Sequence, residues 1–386
     1  MTIRVDEVRT RRDESAFLDL PEQLHRGEAQ WVTPLRLHER ARWSPASNPS
    51  LRAREAVRFV AWSGSRPVGR IAAIRDTAFQ LAWDPQAGFF GFFESIDEPA
   101  CAAALFKAAE AWLAARGVRR VLGPINLSTH DEVGFLAEGF EQRASFLSPQ
   151  NPRYFLPLAE AAGYRPIREY HAYRWSPQAP QTPLAQQFLR RAERPRPGLR
   201  LRQADRARWV HEARLIWSLY NACFSEVWGF VPITWDEFSE RATAFRSFYR
   251  PDLIRIAELQ GEPVGFALLL PDVNEALARL RGRLLPFGWL RLLLGVRRIS
   301  TGRLLLLGVR PDCIGRGVSV ALVADLMRIA ARLSMEVEVS LVDAANAPAQ
   351  SIQRVFQLPR SKVYRLYGKS LHGGDALSAT EPLHPG

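Results

Sequence analysis

Apolar and polar positions alternate in blocks that recur along the chain. VRFVAW (57–62) and VGRIAAI (68–74) flank the polar turn SGSRP; LIRIAEL (253–259) and VGFALLL (264–270) flank QGEP. Each block predicts an antiparallel hairpin, because two apolar runs are joined by a Gly- and Pro-bearing turn. RFVAWSGSRPVGRIAAI and RIAELQGEPVGFALL match in order, which reads as an internal duplication. Around the first hairpin the pattern gives strands at 3–8, 87–94, 118–124 and 168–175, and helices at 14–26, 99–117 and 152–164. The helix after SIDEP is expected to take Asp97 or Ser95 as its N-cap, with Pro99 in its first turn. Around the second hairpin it gives strands at 199–203, 304–309, 337–342 and 362–371, and helices at 206–224, 235–248, 318–333 and 346–358.

Strands interleaved with helices in both halves predict an α/β class with mixed sheets and two domains. The expected division is 1–175, a Pro- and Gln-rich linker at 176–198 with room for one helical segment, a second domain at 199–371, and a disordered tail at 372–386. With 386 residues, 47% of them hydrophobic, there is apolar material for a core in each domain. The first twenty residues hold no apolar leader core and no run of eighteen apolar residues occurs, so the expected setting is the cytoplasm. Cys101, Cys223 and Cys313 lie far apart and form no CxxC pair, which argues against a disulfide framework or a cysteine zinc site. His130 has no second histidine at ligand spacing, so no metal is expected.

The net charge of +12 is carried almost wholly by arginine, since Lys107, Lys362 and Lys369 are the only lysines. Such a surface attracts acidic partners: a phosphorylated cofactor or anionic lipid. No nucleic-acid-binding motif accompanies it, so no nucleic-acid partner is expected. RLLPFGWLRLLLGVRRI (283–299) is too short to span a bilayer. It could lie at an anionic membrane surface with Phe287 and Trp289 inserted and Arg291, Arg297 and Arg298 at the headgroups; inter-domain packing or the wall of an acyl tunnel is the alternative.

The sharpest chemistry lies in LLLLGVRPDCIGRGVSVALVADLMRIA: an apolar strand, a loop with Gly315 and Gly317, then a helix with apolar Val318, Leu322, Leu326 and Ile329. Unpaired amides and the dipole at a helix N-terminus favour an anion, and glycines let the backbone approach a phosphate closely. Neither the Walker spacing nor the dinucleotide GxGxxG is present. A plain strand–turn–helix with glycines for the turn is the alternative reading.

Val309–Gly317, V-x-P-x-x-x-G-x-G before an amphipathic helix, resembles the coenzyme A motif of the GNAT acyltransferases. Ile314 stands where that motif usually has Arg or Gln, and Ser319 where it has Gly or Ala. A wider resemblance rests on GFFGFFESID, GPINLSTHDEVGFLAEGF, NPRYF, WGFVPIT, GRLLPFG, LLLLGVRPD and KVYRLY, in that order from about residue 17 to 371. These segments are similar to the tandem-GNAT family of bacterial ceramide-synthase-like proteins. The resemblance implies two GNAT-like domains, an acyl-CoA donor, and transfer of an acyl group, long-chain in the ceramide case, to an amine such as a sphingoid base. The backbone amides around Gly308, Val309, Gly315, Arg316, Gly317, Val318 and Ser319 would then hold the cofactor, with Asn346 either a cofactor contact or simply the N-cap of its helix.

The first domain carries ESIDEP where the second has CIGRG. Its Glu94, Asp97 and Glu98 suit capping and would repel a diphosphate, so the first domain is not expected to bind coenzyme A. Gly308 and Val309 could also serve the oxyanion. Tyr364 and Tyr367 are candidate acids toward the leaving thiolate, or core aromatics. Glu338, Asp343, His130 and Asp131 are candidate bases, with a turn-stabilising role the alternative for the GPINLSTHDEVGF residues. Direct transfer is favoured over a Cys313 intermediate because no base adjoins Cys313 in the motif. A catalytically silent binding protein on a duplicated scaffold, or an aminoacyl-tRNA-dependent transferase, are the competing functions. Oligomeric state is not legible.

Overall fold

The computed structural model describes residues 2–246, 249–278, 280, 295 and 298–371. The tail at 372–386 and nearly all of the arginine-edged segment at 283–299 lie outside the described residues.

The first half of the chain runs β1 (Ile3–Glu7), β2 (Glu55–Ser63), β3 (Arg66–Arg75), β4 (Ala87–Ser95), β5 (Arg120–Gly123), β6 (Phe135–Glu138) and β7 (Arg165–Trp175). Its longer helices are Arg11–Leu24 and Pro99–Ala114, with a shorter one at Phe155–Ala161. The second half runs β8 (Leu199–Gln203), β9 (Ile254–Leu259), β10 (Glu262–Pro271), β11 (Thr301–Val309), β12 (Glu336–Asp343) and β13 (Arg360–Ser370). Its longer helices are Trp209–Phe224, Trp235–Phe245, Val318–Arg332 and Ala347–Phe356. Both expected hairpins form, β2 with β3 and β9 with β10.

Two compact units draw on both halves. One comprises the residues through Glu169 and those from Lys362 onward; the other comprises Tyr170–Leu280 and continues to Ser361. In the first unit the strands lie in the order β1-β2-β3-β4-β5-β13, with β6 also on β13. In the second they lie in the order β7-β12-β11-β10-β9-β8. So the last strand of the chain closes the first unit, and the end of β7 closes the second. The parallel pairs are β4 with β5 and β11 with β12.

β4 is buried at every position, as a strand covered on both faces must be, which explains its continuous apolar sequence. The Pro99–Ala114 helix packs against it through Phe106, stacked on Phe93 at 4.7 Å, in a core shared with Phe135, Phe155, Tyr164 and Tyr367. In the second unit Val318, Leu322, Leu326 and Ile329 form the buried stripe of their helix, against Leu253, Ala257, Val264 and Leu269. That is the apolar spacing read from the sequence.

Local chemistry moved several boundaries. The first helix begins at Arg11, because Thr10 and Asp13 form a reciprocal capping box. The N-cap before Pro99 is Glu98 rather than Asp97 or Ser95, since a proline at the first helical position fixes the cap one residue earlier; Ser95 Oγ donates to the Ile96 carbonyl instead. Within 176–198 Thr182 caps a helix at Pro183–Glu193. No helix among the described residues is long and apolar enough to cross a membrane.

Candidate active site

β11 and β12 pair in parallel from Thr301↔Glu336 to Leu304↔Val339, and there the ladder stops. From Leu305 to Val309, β11 has a described strand partner only in β10. β12 keeps its pairing with β7, with a register shift between Val339 and Val342. The two strands therefore part, and backbone between them is left without a ladder. The leucines at 304–307 are half-buried along this stretch, with Leu304 and Leu307 against one apolar core and Leu306 against another.

The parting leads to the glycine loop. Pro311–Cys313 form a 3-10 turn, Gly315 and Gly317 sit at φ +83° and +77°, and Val318 opens the fifteen-residue helix. Gly317 is the N-cap and brings no side chain, so the first-turn amides, including those of Val318 and Ser319, are uncapped. No acidic residue lies in that turn. A Cβ on Gly315 would meet open space. One on Gly317 would fall 2.5 Å from Arg196 Nε. Gly308 is required for close packing: a Cβ there would lie 2.9 Å from Cys223 Cβ and 3.0 Å from the Phe224 ring. The uncapped first-turn amides beside two glycines suit an anion.

The loop is cationic at its rim. Arg310 and Asp312 form an exposed two-point pair, at 3.1 and 2.7 Å, and the hydrogen bond from Arg310 holds the Asp312 carboxyl below its usual range. Arg316 and Ile314 are exposed. Cys313 is buried in the apolar core under the helix. Burial pushes the Cys223 thiol up to about 12.

Glu338 lies on β12 beside the parting, only 5% exposed, and accepts a hydrogen bond from Ser340 Oγ at 2.8 Å. Its register neighbours are Arg303 on β11 and Arg174 on β7. Asp343, at the end of β12, accepts from the Ala345 amide. Asn346 Oδ1 accepts from the Ala349 amide at 3.1 Å, the N-cap alternative for this residue. Near it Tyr173 OH donates to Gln350 Oε1 at 2.8 Å and lies 2.9 Å from His171 Nδ1.

The other sequence candidates belong to the first unit. Tyr364 and Tyr367 are fully buried on β13, and Tyr367 OH donates to Glu160. Burial, then the Glu160 charge, raises the Tyr367 pKa. Asp131 Oδ2 accepts from Ser128 Oγ at 2.7 Å, and the His130 amide donates to the same hydroxyl. The structure thus gathers Gly308, Val309, Gly315, Arg316, Gly317, Val318, Ser319 and Glu338 in the second unit, and His130, Asp131, Tyr364 and Tyr367 in the first. Among the described residues no group of three or more His, Cys, Asp and Glu could hold a metal ion. Sequence reasoning missed Arg196, which it placed in a linker, and Arg303, whose pairing needs the strand register.

The first unit handles the equivalent place differently. β4 and β5 pair from Ala87↔Arg120 to Phe89↔Leu122, and contact continues beyond: the Ile125 amide donates to the Phe90 carbonyl at 2.8 Å. The amide of Phe92, a residue at φ +51°, donates to Asn126 Oδ1 at 2.7 Å. A Cβ on Gly91 would fall 2.2 Å from the Ile125 carbonyl oxygen. Asn126 Nδ2 donates to Glu132, which pairs with Arg42 at 3.0 Å; Arg42 also reaches buried Glu39 at 3.2 Å.

A parted parallel strand pair leading to a glycine-capped helix defines the GNAT acyltransferase class, and residues 214–354 match the model of the acetyltransferase (GNAT) family. The chain is 34% identical over 376 residues to a protein of Caulobacter vibrioides named bacterial ceramide synthase, covering 94% of this chain and 96% of that one. It is 31% identical over 368 residues to protein YghO of Escherichia coli, covering 94% of each. A tandem GNAT protein from the clavulanic acid biosynthesis pathway shares the fold at a TM-score of 0.55, with 12% identity, over 97% of this chain and 100% of that one. The chain belongs to the tandem-GNAT family of bacterial ceramide-synthase-like proteins.

Proposed function

We propose that the protein is an acyl-CoA-dependent N-acyltransferase whose cofactor site lies in the second unit. The observation that carries this is the parting of β11 from β12 beyond Leu304, opening beside a helix start with no side-chain cap. Coenzyme A would bring the activated thioester. The uncapped amides of the Gly317 turn would bind its diphosphate. The Arg310 amide donates to the Val264 carbonyl on β10, so strand alternation turns the Gly308 amide to β10 as well and leaves the Val309 amide to face the thioester carbonyl and the oxyanion formed from it. Glu338 is the candidate to take the proton of the attacking ammonium, since its buried carboxylate lies beside the parting. The half-buried leucines beside the parting support a long acyl chain. The named Caulobacter relative supports a sphingoid base as acceptor.

In the first unit the Asn126 amide oxygen already accepts from the Phe92 amide, and the chain at Ile125 fills the gap that would have to open. With acidic Glu98 as helix cap, this supports one coenzyme A site per chain, in the second unit. The test is calorimetric titration with coenzyme A and palmitoyl-CoA, followed by mass-spectrometric detection of amide from palmitoyl-CoA and a sphingoid base. The expected result is a stoichiometry of one and an N-acyl product. Absence of binding refutes the donor; binding without product would favour a silent binding protein.

A further inference from the structure

The Pro183–Glu193 helix does more than join the two repeats of the sequence. Just past its end, Arg196 turns back: Nη1 donates to the Ala192 carbonyl at 3.0 Å and the Arg194 carbonyl at 3.2 Å, and Nη2 donates to the Arg191 carbonyl at 3.0 Å. Three bonds to carbonyls at a helix end hold the guanidinium in one orientation, where the negative pole of the helix also favours a cation. The atoms nearest a Cβ built on Gly317 are Nε at 2.5 Å, Nη2 at 3.2 Å and Cζ at 3.3 Å. So the Nε–Nη2 edge of the fork faces the glycine that caps the Val318–Arg332 helix. Nε has no hydrogen-bond partner among the described residues.

This placement is electrostatically unfavourable for the protein alone. A helix N-terminus carries roughly half a positive charge, and a guanidinium beside it is repelled. An anion seated beside this contact, within reach of both the Nε–Nη2 edge and the first-turn amides, removes the conflict. The Nε–Nη2 edge is also the one that matches two oxygens of a phosphate. The loop itself offers no such fork where the family motif usually has Arg or Gln: Ile314 stands there, 72% exposed.

We propose that Arg196 is a diphosphate-binding residue of the coenzyme A site, supplied from outside the glycine loop and doing the work that Ile314 cannot. The inference rests on the donor assignment made above. It also gives Gly317 a second reason to be glycine, since any side chain there would displace the guanidinium.

The test uses the full chain and calorimetry with three probes: coenzyme A, 3′-dephospho-coenzyme A and pantetheine. Arg196→Ala is expected to weaken coenzyme A and its dephospho form alike by about 10- to 50-fold, the range for losing hydrogen bonds to a charged partner. Pantetheine, which lacks the diphosphate, should bind both proteins equally. Arg196→Lys should recover only part of the loss, because an ammonium cannot make the paired contact. Equal coenzyme A affinity in wild type and Arg196→Ala overturns the proposal. So does a loss confined to coenzyme A, which would assign the arginine to the 3′-phosphate, or an equal loss for pantetheine, which would make Arg196 merely structural. If the wild-type protein binds no coenzyme A, the donor assignment falls, and this proposal with it.

Discussion

Each unit contains one parallel strand pair of similar length, and the two pairs end differently. In the second unit, β11 and β12 separate after Leu304 and Val339, and among the described residues the next five of β11 keep a strand partner on one side only. In the first, the gap after Phe89 and Leu122 is closed by the Ile125 amide, and the amide of Phe92 is taken by Asn126. One duplicated pattern thus yields a strand pair that parts in one unit and a strand pair whose gap is closed from within in the other. The difference shows that the same fold can keep or close such a gap. A side-chain amide of suitable length can stand in for a ligand carbonyl, and the ions around it, half-buried Glu132 and Arg42 and buried Glu39, then hold it there.

The comparison can be broken in four ways. The largest effect is expected from stopping the chain after Pro359, which removes β13. Val363, Tyr364, Leu366 and Tyr367 are all buried in the first unit, and losing such side chains costs roughly 2–5 kcal/mol each. The first unit should fail to fold; limited proteolysis followed by mass spectrometry would show cleavage concentrated before Glu169. Protection there equal to that of the intact chain would refute the assignment of β13.

Next in size is Gly317→Glu. A left-handed φ, the contact with Arg196 and a new carboxylate at the helix start all oppose diphosphate binding, so coenzyme A affinity should fall by about 100-fold or more. Unchanged affinity by calorimetry would remove the loop from the site.

Asn126→Ala sharpens the contrast from the other side. It strands the Phe92 amide and removes a donor from Glu132, which should lower stability by about 1–3 kcal/mol in chemical denaturation. Coenzyme A affinity should stay within about 2-fold, since the partners of the Asn126 side chain, Phe92 and Glu132, include no residue of the glycine loop. A large change in affinity would give the first unit a part in donor binding.

The smallest effect is a pH dependence. Burial pulls the His25 pKa down, but the hydrogen bond and charge of Glu94, then of Glu28, outweigh it and hold the group above the ordinary histidine value. A histidine raised on folding stabilises fully below its unfolded pKa, and that contribution is lost as pH rises through the folded value. The melting temperature should therefore decline from about pH 6 upward, and His25→Gln should flatten that part of the curve. An identical pH profile in the variant would refute the pairing.

Much of the fold was legible. Period-2 runs with Gly- and Pro-bearing turns gave both hairpins, and the stripe from Val318 to Ile329 gave the buried face of the helix after the loop. What alternation cannot give is a strand's partner: KVYRLYGKSL reads as a strand wherever it pairs, so its place beside β5 and β6 was not legible. Within the site, the glycine loop was visible because positive φ leaves a residue signature. The parting of β11 and β12 was not, because register is a property of two strands. Arg196 had no local signal at all; its position follows from how one helix end packs on another helix's start.

The placement of β13 has a bearing on biosynthesis. Residues through Glu169 leave the ribosome before the second unit, yet the strand that completes their sheet is translated only after that unit. The early product must wait with one sheet edge open until β13 has been made, and during that interval it presents a surface that chaperones would have to shield.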